Sequence, residues 1–277
     1  MSAKEKAFQK KVDALIRQAD KLEDAAVRRV LDMLSDARQE VAAQVASTDW
    51  QAYRLSSLKA SIERSMTFFG DKYGVDLREA QRSFWEDGIA RLDAPLREIG
   101  IYAAFPAIDT TALSILQGYS TDLVKGLADD AARAINRELA QTLLGQKTPF
   151  EAMKAIGRNL DSPGIFGSVA KRAEVILRNE AKLVLEASSQ ARFEQFEKLV
   201  PGLKKQWQHS HRSRMPRISH LAADGQVKDV KDFFTVGGEK LMFPRDPRGS
   251  ARNTINCGCS SVPWHADWDL AVERQAA

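Results

Sequence analysis

The residues of this chain best equipped to hold a metal or move a proton are four histidines and two cysteines. All six lie beyond residue 200: His209, His211, His220, His265, Cys257 and Cys259. Imidazole and thiolate are the donors zinc prefers, and a structural zinc takes four of them in a closed tetrahedron. His220, Cys257 and Cys259, with His211 or His209 as fourth donor, would form one such site. A C-x-C pair is a less usual chelating knuckle than C-x₂-C. The competing reading is packing: cysteines are often buried for their volume alone, with His220 hydrogen-bonded to Asp224 or to backbone. Cysteines one residue apart make no disulfide framework, because a bridge between them is strained. Free thiols fit a reducing compartment such as cytoplasm.

The polar residues around them have plainer readings. Asp224-Gly225 reads as a turn, with the glycine supplying a positive φ; a sharper alternative pairs Asp224 with His220 for proton transfer. Asn256 is placed to cap a loop. Trp207, Trp264 and Trp268 read as core of a small subdomain.

Charge is unevenly placed. Residues 201–277 hold 12 of the 41 Lys and Arg and 8 of the 37 Asp and Glu, an excess equal to the net +4 of the whole chain. No acidic residue lies between Lys198 and Ala223, whereas Lys204, Lys205, Arg212, Arg214 and Arg217 do. Such a strip would attract a polyanion such as DNA, or be a solvated edge facing an acidic partner.

The elements that must position these residues are mostly helical. A chain of 277 residues can bury a sizeable core. Phe8, Val12, Leu15, Ala19, Leu22, Ala26, Val30, Leu34, Ala37, Val41 and Val45 recur every three or four positions, the stripe of one long helix or of two broken near Asp20–Asp24. Thr48 and Asp49 stop it. A second helix carries Tyr53, Leu58, Ile62, Met66 and Phe69, the cluster Gly70-Asp-Lys-Tyr-Gly74 reads as a turn, and a third carries Ala80, Phe84, Ile89 and Leu92. The pattern breaks between Gly100 and Thr111, around Pro106. Leu123, Leu127, Ala131, Ile135, Leu139 and Leu143 mark a further helix ended by Gly145. Thr148-Pro-Phe-Glu151 is a capping box that starts a short helix through about Ile156. Ser162-Pro-Gly is a loop, and a long helix runs from about Ser168 to Leu199, with Glu174 and Arg178 spaced to pair.

Beyond Pro201-Gly202 the period changes. Lys204 to His211 alternates as a strand does, and Phe233–Val236, Gly237-Gly238 and Glu239–Phe243 read as a hairpin. The expected class is α+β: a mostly helical N-terminal two-thirds with a small, loop-rich C-terminal β subdomain. The expected division is a helical domain at 1–108 and a second domain at 109–277, helical to about 200, with the β subdomain at 201–265. So small a sheet must lean on the helices or be stapled by a metal. No stretch has the roughly 18–20 uninterrupted apolar residues of a membrane span. Met1-Ser-Ala-Lys-Glu-Lys leads into a charged amphipathic pattern, unlike a secretory signal.

The order of motifs resembles a known family. Arg172-x-Glu174-x-x-x-Arg178-Asn179-Glu180 precedes a basic strand containing Trp207. Arg217-x-x-His220-x-x-x-Asp224-Gly225-Gln226 follows. Then come Gly237-Gly238-Glu239-x-Leu241-x-Phe243-Pro244-x-Asp246-Pro247 and Asn256-Cys257-x-Cys259-x-x-x-Pro263. Over roughly residues 111–265 this resembles the phage Mu F-like minor head proteins, a branch of the phage head morphogenesis family. Gly258 stands where that family's closing motif usually has arginine. Arg217 and His220 stand where related branches carry a C-x-x-C pair.

The resemblance implies a few-copy structural protein of a phage head, made in the bacterial host cytoplasm and carried in the virion. Its implied partners are the portal protein, the major capsid protein and packaged DNA, in head assembly and DNA packaging or ejection. It implies no catalytic activity. The main alternative is a metal-dependent nuclease or toxin-like effector built on His220, Asp224, Cys257 and Cys259, with Asn256 beside them, using metal-activated water. An ADP-ribosyltransferase, an activity that accompanies some relatives, would need an E-x-E site. Glu194-Gln-Phe-Glu197 has the wrong spacing and lies on a predicted helix.

Overall fold

A computed structural model describes residues 3–48, 50, 54–105, 107–161, 163–210 and 216–268. The class is α+β. Five helices come first: α1 (Ala3–Ala46), α2 (Leu55–Glu98), α3 (Thr111–Leu143), α4 (Pro149–Ile156) and α5 (Ile165–Phe196). Small elements follow: β1 (Lys204–Gln208), α6 (Ile218–Ala223), β2 (Val227–Asp229), β3 (Phe234–Val236), β4 (Glu239–Leu241), α7 (Ala251–Thr254) and β5 (Ser260–Trp264). No helix among the described residues is long and apolar enough to cross a membrane.

Of the two readings of α1, the unbroken one holds. The segment contains neither Gly nor Pro, and Asp20 and Glu23 are buried and both paired with Lys182, at 2.9 and 2.7 Å. The turn expected at Gly70–Gly74 is absent, because α2 runs through it. There Gly70 permits close packing: a Cβ would lie 3.0 Å from the Cβ of Ala128. Tyr73 is fully buried and its hydroxyl donates to the Ala173 carbonyl at 2.7 Å. Packing here outweighs the low helix propensity of glycine. The capping box at α4 forms as read, with Glu151 N–H donating to Thr148 Oγ1 and Glu151 accepting from Thr148 N–H. Asp49, Tyr53, Pro106 and Ser162 lie outside the described residues.

The chain gathers into two compact units, each discontinuous in sequence. One comprises Asp24–Glu79 and Leu116–Arg178. Its interior includes Leu34, Ile62, Phe69, Leu127, Ile135 and Phe166; half-exposed Arg29 pairs with buried Asp76 at 2.7 Å, and Arg178 pairs with both Glu174 and Asp24. The other comprises Met1–Glu23, Ala80–Ile115 and Asn179–Ala277, as far as these are described. It carries every strand among the described residues, and His220, Cys257 and Cys259.

In this second unit, Phe8 and Val12 of α1, Leu92 and Leu96 of α2 and Phe193 and Phe196 of α5 form one core with Val230, Val262 and Trp268. The sheet order is β2-β1-β5, all antiparallel, with Gln206 opposite Val227 and Val262. β5 is an edge strand, which is why it tolerates Pro263. β3 and β4 form the expected hairpin, and both turn glycines take positive φ, 57° and 85°. Trp207, Phe234, Val236, Leu241, Cys257 and Cys259 make a second, smaller core under it.

Helices α2 and α5 approach most closely at Gly88, where a Cβ would collide with Ser188 Oγ and the Leu185 carbonyl. Ser189 Oγ donates to the Gly88 carbonyl at 2.8 Å. Because backbone blocks the space, relief requires moving a helix. Gly88→Ala is expected to cost at least about 2 kcal/mol, against the roughly 1 kcal/mol gain in helix propensity. Chemical denaturation of the variant checks this.

Candidate metal centre

His220 is carried by α6, a six-residue turn of helix whose first backbone bonds are the His220 and Leu221 N–H groups donating to the Arg217 carbonyl. Cys257 and Cys259 lie on the loop between α7 and β5. That loop is fixed from below: Asn253 donates to the Val236 carbonyl at 3.3 Å, and Ser250 Oγ and N–H both donate to the Glu239 carboxylate. Asn256 takes φ +54°, a left-handed conformation that asparagine tolerates, and turns the chain so that Cys257 N–H donates to the Thr254 carbonyl. Gly258 faces Ser210, and a Cβ there would lie 2.6 Å from Ser210 Oγ.

These supports bring three donors to one focus. His220 Nδ1 lies 3.5 Å from Cys257 Sγ and 3.4 Å from Cys259 Sγ, and all three donor atoms lie within 4.8 Å of one another. All three residues are at most 2% exposed. Trp207 stands edge-on to the His220 ring, with centroids 5.9 Å apart. Zinc–sulfur and zinc–nitrogen bonds of about 2.3 and 2.05 Å at a tetrahedral angle give a sulfur–nitrogen edge of about 3.6 Å. The observed separations fit. A neutral imidazole nitrogen has one lone pair, so two thiols cannot both hydrogen-bond to it fully; an ion at the focus satisfies all three. The His/Cys/Cys group could therefore hold a metal ion.

The thiols are electrostatically unequal. Cys257 is held well below the usual thiol range by a hydrogen bond from Cys259, against its burial, with His220 and the charge of Arg245 acting the same way. Cys259 is pushed up by that same sulfur–sulfur contact and by burial. The pair thus favours one thiolate at Cys257, and a thiolate is the form that binds metal.

Other expected site residues are placed differently. Asp224 Oδ1 accepts from His209 N–H at 2.8 Å, and Gly225 takes φ +76°, as the turn reading requires. Trp207 is fully buried core. Glu180 is buried, with Asn179 donating to it at 3.2 Å. Among the basic residues, Lys205 is corrected: it is fully buried, its ammonium donating to Gln190 Oε1 at 3.1 Å and the Met242 carbonyl at 2.7 Å, so it cannot contact a phosphate backbone. Lys204 pairs with Asp229, and Arg217 donates to the Ile255 carbonyl. His211, Arg212 and Arg214 lie outside the described residues.

Sequence reading missed a set of buried charges beside the cluster. Glu186 accepts from Arg91 Nη1 at 2.6 Å and from Ser261 N–H at 3.0 Å, and all three residues are buried. A lone acid in the apolar run Leu183-Val-Leu-Glu186-Ala was the available signal. Arg245 is 4% exposed at φ +68°; nothing in its sequence surroundings marks it.

No family model matches the chain, and no solved structure matches it. Among curated proteins it is similar to the Uncharacterized protein YqbB of Bacillus subtilis (strain 168), 41% identical over 83 residues. The match covers 29% of this chain and 27% of that protein, so it spans about a quarter of the relative's length.

Burial pushes the Lys205 ammonium down to about 8 from an ordinary 10.5, with Glu194 pulling the other way. Between those values the unfolded chain carries the proton and the folded chain does not, so raising the pH through this window stabilises the fold. Below about pH 8 the cost of the buried charge is fully present. Stability of the wild type relative to Lys205→Met is expected to rise by about 2–3 kcal/mol from pH 8 to 10.5, measured by urea denaturation at each pH.

Proposed function

We propose that this chain is a minor structural protein of a phage head. In this reading it acts with the portal and major capsid proteins in head assembly and in packaging or ejecting DNA, and its C-terminal module is closed by one structural zinc. The observation that carries this reading is where the motifs of the resemblance go. The Trp207 strand, the Asp224-Gly225 turn, the Gly237-Gly238 hairpin and the Asn256-Cys257-x-Cys259 closure surround one small core, with three soft donors at its centre. Asp224, Gly225, Gly237, Gly238, Glu239 and Asn256 each have a folding explanation. A small sheet with little core of its own gains most from such a staple. Zinc fits because the donors are two sulfurs and a nitrogen, with both sulfur–nitrogen separations near a tetrahedral edge length. Of the two expected fourth donors, His209 and His211, the second follows Ser210, whose backbone N–H donates to Cys259.

Elemental analysis of freshly purified protein is expected to find about one zinc per chain. Cys259→Ala and His220→Ala should abolish it and lower the melting temperature by about 10 °C. Less than about one-tenth of an equivalent in the wild type refutes the zinc assignment. His211→Ala should weaken binding without abolishing it.

The assembly role is tested in particles produced by the genome that encodes the chain. Mass spectrometry should find the protein in purified heads at a few copies, retained when loosely bound host proteins are washed away. Presence only in lysate, never in particles, excludes the role. Purified protein with zinc or magnesium should leave DNA and RNA intact; cutting that His220→Ala abolishes would instead favour the metal-dependent nuclease.

A further inference from the structure

Lys205 of β1 is a buried cation that the metal centre does not use. Among the described residues its ammonium donates to neutral acceptors: Gln190 Oε1 at 3.1 Å, the Met242 carbonyl at 2.7 Å and Met242 Sδ at 2.9 Å. The fully buried ring of Phe234 lies 5.2 Å from Nζ and closes that side to water. A charge held this way is costly. Burial already brings the proton of this group down to about 8, so near that pH much of it is a neutral amine, which is a nucleophile.

The group it faces is a primary amide. Gln190 of α5 is buried, and its Nε2 donates to Glu194 Oε1 at 3.1 Å and to the Val230 carbonyl at 2.9 Å. Both amide protons are thereby used, which fixes the side chain with Oε1 toward Lys205. The carbonyl carbon is one bond beyond that oxygen. A carboxylate sits on the nitrogen at its other side, the one that an attacking amine must displace. Glu194 is exposed, so this end of the cluster has a route to solvent for a proton and for ammonia. Amine, amide and acid are held together by packing, the arrangement that turns a slow exchange between amides into an intramolecular one.

We propose that Lys205 and Gln190 join through an isopeptide bond that ties β1 to α5. The neutral amine attacks Gln190 Cδ, a bond forms from Cδ to Nζ, and the bond from Cδ to Nε2 breaks. The Glu194 carboxylate takes one proton from the attacking nitrogen and returns one to Nε2, which leaves as ammonia. Glu194 is regenerated, and no oxidant or further reactant is consumed. The product replaces a buried cation with a neutral amide. The pH window derived for Lys205 above belongs to the chain before this reaction; in the bonded chain the amine no longer titrates. The inference depends on neither the zinc nor the phage-head reading.

Intact-mass spectrometry of the denatured full chain tests it. Wild type incubated at about pH 8 should come to weigh about 17 Da less than its sequence, the mass of the ammonia lost. Peptide mapping should find one branched peptide joining the segments that carry Gln190 and Lys205. Lys205→Met and Gln190→Leu should keep their full sequence masses, and Glu194→Gln should form the branch at least about 100-fold more slowly. Wild type that keeps its full mass after prolonged incubation, with both peptides recovered unlinked, overturns the proposal. A deficit that persists in Lys205→Met overturns it equally, since the ammonia then comes from elsewhere. A branch formed as fast in Glu194→Gln as in wild type overturns the proton transfer assigned to Glu194. Should a variant fail to fold, the wild-type mass and peptide map decide alone.

Discussion

Glu186 is a carboxylate without access to water, and the order of the C-terminal module depends on how it is satisfied. Burying an unpaired charge costs several kcal/mol, and burial pushes this acid up while Arg91, first among its neighbours, pulls it down. The two contacts that hold it come from different elements. Arg91 belongs to α2, Ser261 N–H to β5, and Glu186 itself to α5. Neither helix can shift along the other, and β5 cannot slide over them, without leaving a charge or a backbone donor unmet. Gly88, close by in α2, allows the approach that this geometry needs. A small sheet with few apolar residues thereby acquires a fixed seat on the helices.

Most of the helical scaffold was legible because its signal is local. The apolar stripe of α1, the Thr148–Glu151 capping box and the break at Gly100–Thr111 depend on neighbours a few residues away. The turn expected at Gly70–Gly74 failed because two glycines in five residues look alike whether they bend a chain or admit another helix; only Ala128 and Ala173, far along the sequence, distinguish the cases. The Gly237-Gly238 hairpin was legible for the converse reason, since two positive φ values in a two-residue loop are a local demand. β2 and β5 went unread: the first is three residues long, and the second contains a proline tolerated only because the strand lies at an edge.

The site divides along the same line. That His220, Cys257 and Cys259 would meet was inferable from donor chemistry, because few other soft donors exist in the chain. Lys205 was misread because composition alone does not assign a strand's faces. Yet alternation carries that information: Lys205, Trp207 and His209 share one buried face, while Lys204, Gln206 and Gln208 are more exposed. Once Trp207 is assigned to the core, Lys205 must follow it inward and take polar partners there. Arg245 was invisible because its burial follows from a turn whose geometry Asp246 sets through contacts with Met242 and Arg248.

The position of the cysteines links the metal-ligating cluster to the sheet. Cys259 immediately precedes Ser260, the first residue of β5, which stands opposite Gln208 of β1. A slip of one residue in an antiparallel pair exchanges its two faces. Here it would carry Ser261 away from Glu186 and drag Cys259 off the His220 nitrogen in one motion. The buried ion pair and the sulfur–nitrogen focus therefore enforce the same register at the start of β5, one at Ser261 and one at Cys259. A cluster that has to move with the strand is poorly suited to admitting and releasing substrate, and well suited to holding a short edge strand in place. This coupling, more than the burial of the thiols by itself, supports the proposal that the cluster is structural.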